Sequence, residues 1–177
     1  MAETTERDTA IETVEEFLAH ALALETEAAE GYEEVGDSMA VHNNPEVAEL
    51  FHRFARNGRK HAEQVRALAE GMTLPKIAPW DFKWGEHASP ETSSRDRVHY
   101  LMTSAQALAL ALRAERSAHA FYAGVAESSP NAKVRKIAAE FAEEEADHVR
   151  MLTEWIEAHP APHRDWDEDL DPLAMPE

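Results

Sequence analysis

Glu25 stands seven positions before Tyr32, and Glu115 stands seven positions before Tyr122. Each pair is followed by what reads as a proline-started helix, the first carrying His61 and the second Glu145 with His148. Seven residues make two α-helical turns, so each glutamate shares a face with its tyrosine; Glu145 and His148, three apart, also project together. The other members of these faces are mostly apolar, which makes the faces core seams. Carboxylates buried together stay ionised only when something cationic joins them. The simplest such partner is a metal ion, for which Glu25, His61, Glu115, Glu145 and His148 are the candidate ligands. Carboxylate oxygens combined with imidazole nitrogens suit iron(II), manganese or zinc better than calcium, which prefers oxygen alone.

Singly, these residues say little. A glutamate in an acidic helix is usually a solvated face, and a lone inward histidine is more often a hydrogen-bonded core group than a ligand. The weight lies in the coincidence of five groups distributed over four helices. Tyr32 and Tyr122 should close the core beside the site and hydrogen-bond a carboxylate. His119, one turn after Glu115, is either a further donor or a plain buried histidine. His20, His42, His52, His87, His99, His159 and His163 have no matching partners and belong at the surface. Met39, Met102 and Met151 read as packing.

The elements that must position these groups follow from apolar spacing. Helix 1 should run from about Asp8 to Met39 along the heptad Ile11, Leu18, Glu25, Tyr32 and Met39, with Val14, Leu22 and Val35 beside it. Asn44 suits an N-cap and Pro45 a first helical position, so helix 2 runs from there to about Glu70, with Gly71 stopping it. Its seam is Val47, Phe51, Phe54, Gly58, His61, Val65 and Leu68. Residues 71–94 contain Pro75, Pro79, Pro90, Trp80 and Trp84 without a helical period, which predicts a crossover held to the surface by its tryptophans. Helix 3 should begin near Ser93 or Ser94 and reach Glu127 through Leu101, Ala105, Leu108, Leu112, Glu115, His119 and Tyr122. After the turn Ser128-Ser129-Pro130-Asn131, helix 4 carries Val134, Ala138, Phe141, Glu145, His148, Leu152 and Trp155 inward and stops before Pro160. The fold class is therefore all-α: a four-helix bundle of two helical hairpins joined by a long crossover, over residues 8–159, followed by an acidic tail over 160–177. Such a crossover permits helix exchange, so a homodimer, swapped or unswapped, is expected.

Composition sets the bounds. A chain of 177 residues can bury one sizeable core, and only six glycines and nine prolines interrupt a sequence dominated by helix formers. A net charge of −18 argues against nonspecific nucleic-acid or anionic-membrane binding. The absence of cysteine excludes disulfides, cysteine-ligated clusters and thiol catalysis. Neither a signal-type apolar stretch nor a run of the ~20 residues that spans a bilayer occurs, which points to a cytoplasmic protein.

The stretches Glu25-Thr-Glu-Ala-Ala-Glu-Gly-Tyr32, Arg56-Asn-Gly-Arg-Lys-His61-Ala, Glu115-Arg-Ser-Ala-His-Ala-Phe-Tyr122 and Glu145-Ala-Asp-His148 resemble the rubrerythrin branch of the ferritin-like superfamily. The resemblance spans roughly residues 10–158 and is to a short form without a rubredoxin domain. It implies a ferritin-like bundle with one or two iron ions (manganese or zinc as substitutes) that reacts with hydrogen peroxide or dioxygen. Carried over, Glu25 and His61 would serve one metal and Glu115 and His148 the other, with Glu145 bridging and the first choice as the catalytic group. Ferritin-like carboxylate sites generally combine one Glu from each of two helices with a Glu-x-x-His from each of the others. Here Gly58 stands where the second bridging Glu would be, at a helix-propensity cost of about 1 kcal/mol relative to alanine, which suggests space used by water or by His119. Without cysteine the chain lacks the attached electron donor of full-length members, so a separate donor is needed. Three glutamates beside neutral histidines carry −3, enough for one divalent ion with charge to spare or for two nearly balanced, one of them held more loosely. The function expected is Fe(II) oxidation by peroxide or dioxygen in oxidative-stress defence or iron handling. The alternative is an iron-binding module with little turnover.

Overall fold

The computed structural model describes residues 10–78, 81–83 and 103–160. Four helices fill them: α1 (Val14–Val41), α2 (Pro45–Leu68), α3 (Ser104–Ser128) and α4 (Ala132–Ala158). They pair as two antiparallel hairpins, α1 with α2 and α3 with α4, and the bundle expected from the sequence is the fold observed. The Ser104 hydroxyl donates to Asn44 Oδ1 (2.8 Å), so α3 starts beside the α1–α2 turn. At the other end Ser129 Oγ donates to the Ile11 carbonyl (2.6 Å) and Asn131 Nδ2 to that of Glu12 (3.1 Å). The end of α2 and the start of α3 therefore lie at opposite ends of the bundle.

The ends of the helices have local causes. Thr13 caps α1 by accepting from the Glu16 amide, and Asn131 caps α4 by accepting from the Lys133 and Val134 amides. Pro45 occupies the first turn of α2, but the Asn44 side chain makes no cap bond there and reaches Ser104 instead. Pro130 lies ahead of the cap of α4 and not at its first helical position. Helix α2 ends at Leu68 with Ala69 as its C-cap, and Gly71, two residues further on, turns the chain away with a left-handed φ of 77°. Helix α3 begins ten residues later than its spacing suggested, because Thr103 and Gln106 form a reciprocal capping box. Likewise α1 starts at Val14 and not near Asp8; Ile11 precedes the helix yet is almost fully buried.

The seam of α1 is buried throughout at Ile11, Leu18, Glu25, Tyr32 and Met39. Two expected members of other seams face outward: Leu68 is 45% exposed, and Ala105 is exposed in the first turn of α3. Leu22, Leu112 and Trp155 are half-buried. Leu101, Trp80 and Trp84 lie outside the described residues, as does the tail from 161. Among the described residues no helix is long and apolar enough to cross a membrane.

The apolar interior forms two cores. One gathers Phe17, Leu18, Leu24, Val65, Tyr122, Val134 and Phe141, and the other Tyr32, Met39, Phe51, Phe54, Leu108 and Leu152. Each helix passes from the first to the second through one polar station: Glu25, His61, Glu115, and Glu145 with His148. A fully buried aliphatic or aromatic side chain contributes about 1.5–3 kcal/mol. Two such cores clamp the polar layer between them.

His20 corrects the expectation that it lies at the surface, being 1% exposed. Its Nδ1 donates to the Glu16 carbonyl (2.9 Å) and its Nε2 accepts from the Lys83 amide (3.0 Å). Phe82 meets the ring edge-on, and Lys83 Nζ bonds the Ala10 carbonyl (2.6 Å) and Glu16 (2.8 Å). The crossover is thus latched to α1 by His20 and Lys83. His52 is half-buried and pairs with Asp37, whereas His42 and His159 are exposed as expected. His87, His99 and His163 lie outside the described residues.

Candidate metal centre

Five side chains from four helices meet between the two cores. Glu25, Glu115 and Glu145 are 3–4% exposed and His61 is 7% exposed; the His148 side chain is 12% exposed. They form two triads with a shared member, Glu25–His61–Glu145 and Glu115–His148–Glu145, within each of which donor atoms lie within 4.8 Å of one another. His61 Nδ1 is 3.4 Å from Glu25 Oε2 and 4.0 Å from Glu145 Oε1. His148 Nδ1 is 3.0 Å from Glu115 Oε2 and 3.4 Å from Glu145 Oε2. Glu145 therefore turns one oxygen toward each histidine. The two imidazoles stack, with centroids 5.2 Å apart and planes 7° from parallel.

The tyrosines cross over. Tyr122 donates to Glu25 Oε1 (2.8 Å), and Tyr32 donates to Glu115 Oε1, so each carboxylate is held by the tyrosine of the opposite hairpin. Burial, with the charges of Glu25 and Glu145, pushes the Tyr122 hydroxyl well above its ordinary value; it stays protonated and remains a donor. Burial alone would raise the Glu115 carboxyl, but the hydrogen bond from His148, its interaction with Glu145, the His148 charge and the Tyr32 hydroxyl hold it below its usual value. Burial alone would lower His148, yet its bond to Glu115 and the charges of Glu115, Glu25 and Glu144 raise it. Glu115 and His148 thus behave as an ion pair, the imidazolium supplying a cation to buried carboxylates.

The donor set fits a transition metal. Three near-fully buried carboxylates with imidazole partners are costly unless charge is balanced, and oxygen with nitrogen ligands suits iron, manganese or zinc. A cavity of about 10 Å³ lies among Glu25, Glu115, Glu145 and His148, close to the smallest volume that holds one water. Gly58 and Ala118 border it without offering a donor.

Gly58 has a different cause from the one its position suggested. A Cβ there would meet Ala29 Cβ, Ala29 N and the Glu25 carbonyl oxygen, each at 3.2 Å. The glycine lets α1 and α2 approach; the space a Cβ would take is occupied by α1 itself and not by His119. His119 is half-buried and belongs to neither triad, while its neighbour Ala118 faces the cavity beside Glu115.

Sequence reasoning passed over Glu144, whose Oε2 lies 3.4 Å from His61 Nε2. Its only signal was adjacency: a 100° step from Glu145 puts it at the rim of the buried face. A third gathering, Glu33, Asp37 and His52, sits on the outer face of the first hairpin. There Glu33 is paired with Arg59 at 2.8 Å and Asp37 is 73% exposed, which marks a solvated surface.

A bundle with a buried Glu/His layer of this composition defines the class of ferritin-like carboxylate proteins. The rubrerythrin family matches residues 16–152, with a further match over 106–170, and the chain belongs to that family. A crystal structure of an uncharacterised conserved protein from Magnetospirillum magnetotacticum MS-1 superposes with a TM-score of 0.71 at 39% identity, covering 85% of this chain and 97% of that one. No curated protein matches the chain.

Proposed function

We propose that the chain is a non-haem iron oxidoreductase of the di-iron carboxylate type, oxidising Fe(II) with peroxide or dioxygen in oxidative-stress defence or iron handling. The observation that carries this reading is Glu145, buried and dividing its two oxygens between two opposed triads. Glu25, His61 and Glu145 would hold one ion, and Glu115, His148 and Glu145 the other. Bound iron supplies one electron per ion, so a pair can reduce a two-electron oxidant without releasing a radical.

The chain's own contribution is to bind, orient and exclude water. Tyr122 and Tyr32 fix one oxygen each of Glu25 and Glu115, leaving Oε2 of each beside its histidine. Leu24 and Phe54 close the cavity against solvent from the two cores. With no cysteine in the chain, a separate protein or small molecule would return the electrons. The protein loaded anaerobically with Fe(II), then given excess Fe(II) and peroxide, should oxidise many equivalents. Glu145→Ala should lower that rate at least about 100-fold, the scale at which loss of a supporting group alone already acts; undiminished turnover contradicts the assignment.

A second reading, an iron-binding module with little turnover, draws support from Gly58 and Ala118, which border the cavity without donors. In that case oxidation stops near stoichiometry with bound iron.

A further inference from the structure

We infer that Glu144 is the positioning residue of His61, an outer carboxylate that fixes which ring nitrogen faces the centre. This rests on the reading that the buried glutamates hold a metal, and it adds a residue that neither triad contains. His61 faces acids on both sides: Nδ1 lies 3.4 Å from Glu25 Oε2, and Nε2 lies 3.4 Å from Glu144 Oε2. A neutral imidazole has one N–H and one lone pair. Coordination between Glu25 and Glu145 requires the lone pair on Nδ1, which leaves the proton on Nε2, directed at Glu144.

Glu144 is placed to receive it. Its Oε2 is buried and accepts no hydrogen bond, although 41% of the side chain remains exposed. A buried acceptor left without a donor is destabilising. Shortening the 3.4 Å contact to an ordinary N–H···O separation would satisfy it. Glu144 cannot serve the same ion directly, because the imidazole stands between it and the Glu25–Glu145 pair. What it can do is hold the ring and raise the basicity of Nδ1, as carboxylates behind metal-bound histidines do. His148, by contrast, packs edge-on against Phe54, with centroids 5.5 Å apart.

The full-length chain titrated with Co(II) tests this by calorimetry and by proton NMR. The Nε2–H of a coordinated His61 gives a hyperfine-shifted signal that disappears in D2O, and His61→Gln identifies it. Glu144→Ala should weaken one of two Co(II) sites about 10–100-fold and erase or broaden the His61 signal, leaving the His148 signal in place. Glu144→Gln, whose amide oxygen still accepts the N–H, should restore both readouts in large part. A Glu144→Ala protein with wild-type affinity and an unchanged His61 signal overturns the assignment of Glu144 alone. Absence of Co(II) uptake by the wild-type chain overturns the metal reading and this inference with it.

Discussion

The two halves of the centre contain the same groups and hold them differently. On the α3–α4 side, His148 and Glu115 are hydrogen-bonded at 3.0 Å and their ionisation is displaced in opposite directions, the signature of a closed ion pair. On the α1–α2 side, His61 stands 3.4 Å from Glu25, with Glu144 at the same distance behind it. One half has collapsed onto its own charge; the other stays open. A bridging glutamate shared by unequal halves should therefore fill them unequally. The half that must first break an ion pair gives up more before it accepts a cation.

Removing the imidazoles one at a time should break this comparison most visibly. His148→Ala strips the buried Glu115 of its partner and should cost about 1–3 kcal/mol of stability in chelator, whereas His61→Ala should cost less. Urea unfolding measures both, and equal losses would mean the halves are alike. In metal titrations each variant should lose one ion and retain the other.

The next effect concerns Gly58. Gly58→Ala gains about 1 kcal/mol of helix propensity but pushes a methyl against the α1 backbone, where overpacking costs about 1–3 kcal/mol. Two of the three atoms it meets are backbone and cannot yield easily, so the net change should be a loss of roughly 1 kcal/mol. Gly58→Glu should destabilise further without adding a ligand. A higher melting temperature for Gly58→Ala, or tighter metal binding by Gly58→Glu, would restore the view of this position as a vacant bridge.

The smallest effect is a pH dependence away from the centre. Burial lowers His20 below its ordinary value, outweighing its bond to the Glu16 carbonyl. Between the folded value and the unfolded value near 6.5, the unfolded chain holds more protons, so stability rises with pH. The latch should be at full strength above about pH 6.5 and weaken as pH falls through the folded value. It should change stability by about one net hydrogen bond, 0.5–1.5 kcal/mol. The difference between wild type and His20→Gln across that interval isolates it from His148, whose raised value acts with opposite sign. A pH-independent difference would leave the latch without a titrating part.

What could be read from the sequence was whatever repeats along one helix. The heptad from Ile11 to Met39 reports its own burial, and Glu25, His61, Glu115, Glu145 and His148 converge because each interrupts an apolar seam at the same depth. What escaped depends on other segments. His20 is interior because Lys83, sixty-three positions away, covers it, and no periodicity in α1 encodes that. Gly58 looked like a missing ligand because its neighbour Ala29 is on another helix. Glu144 was hidden in the acidic run Glu143–Glu145, where two of three residues reach His61 without any change of type. The late start of α3 was legible: Thr103-Ser-Ala-Gln106 is a capping-box sequence.

The latch at Lys83 and the tie between Ser104 and Asn44 are moorings at opposite ends of the first hairpin. Cutting either mooring should therefore loosen one tip of that hairpin, while the carboxylate layer between the two cores keeps its own packing.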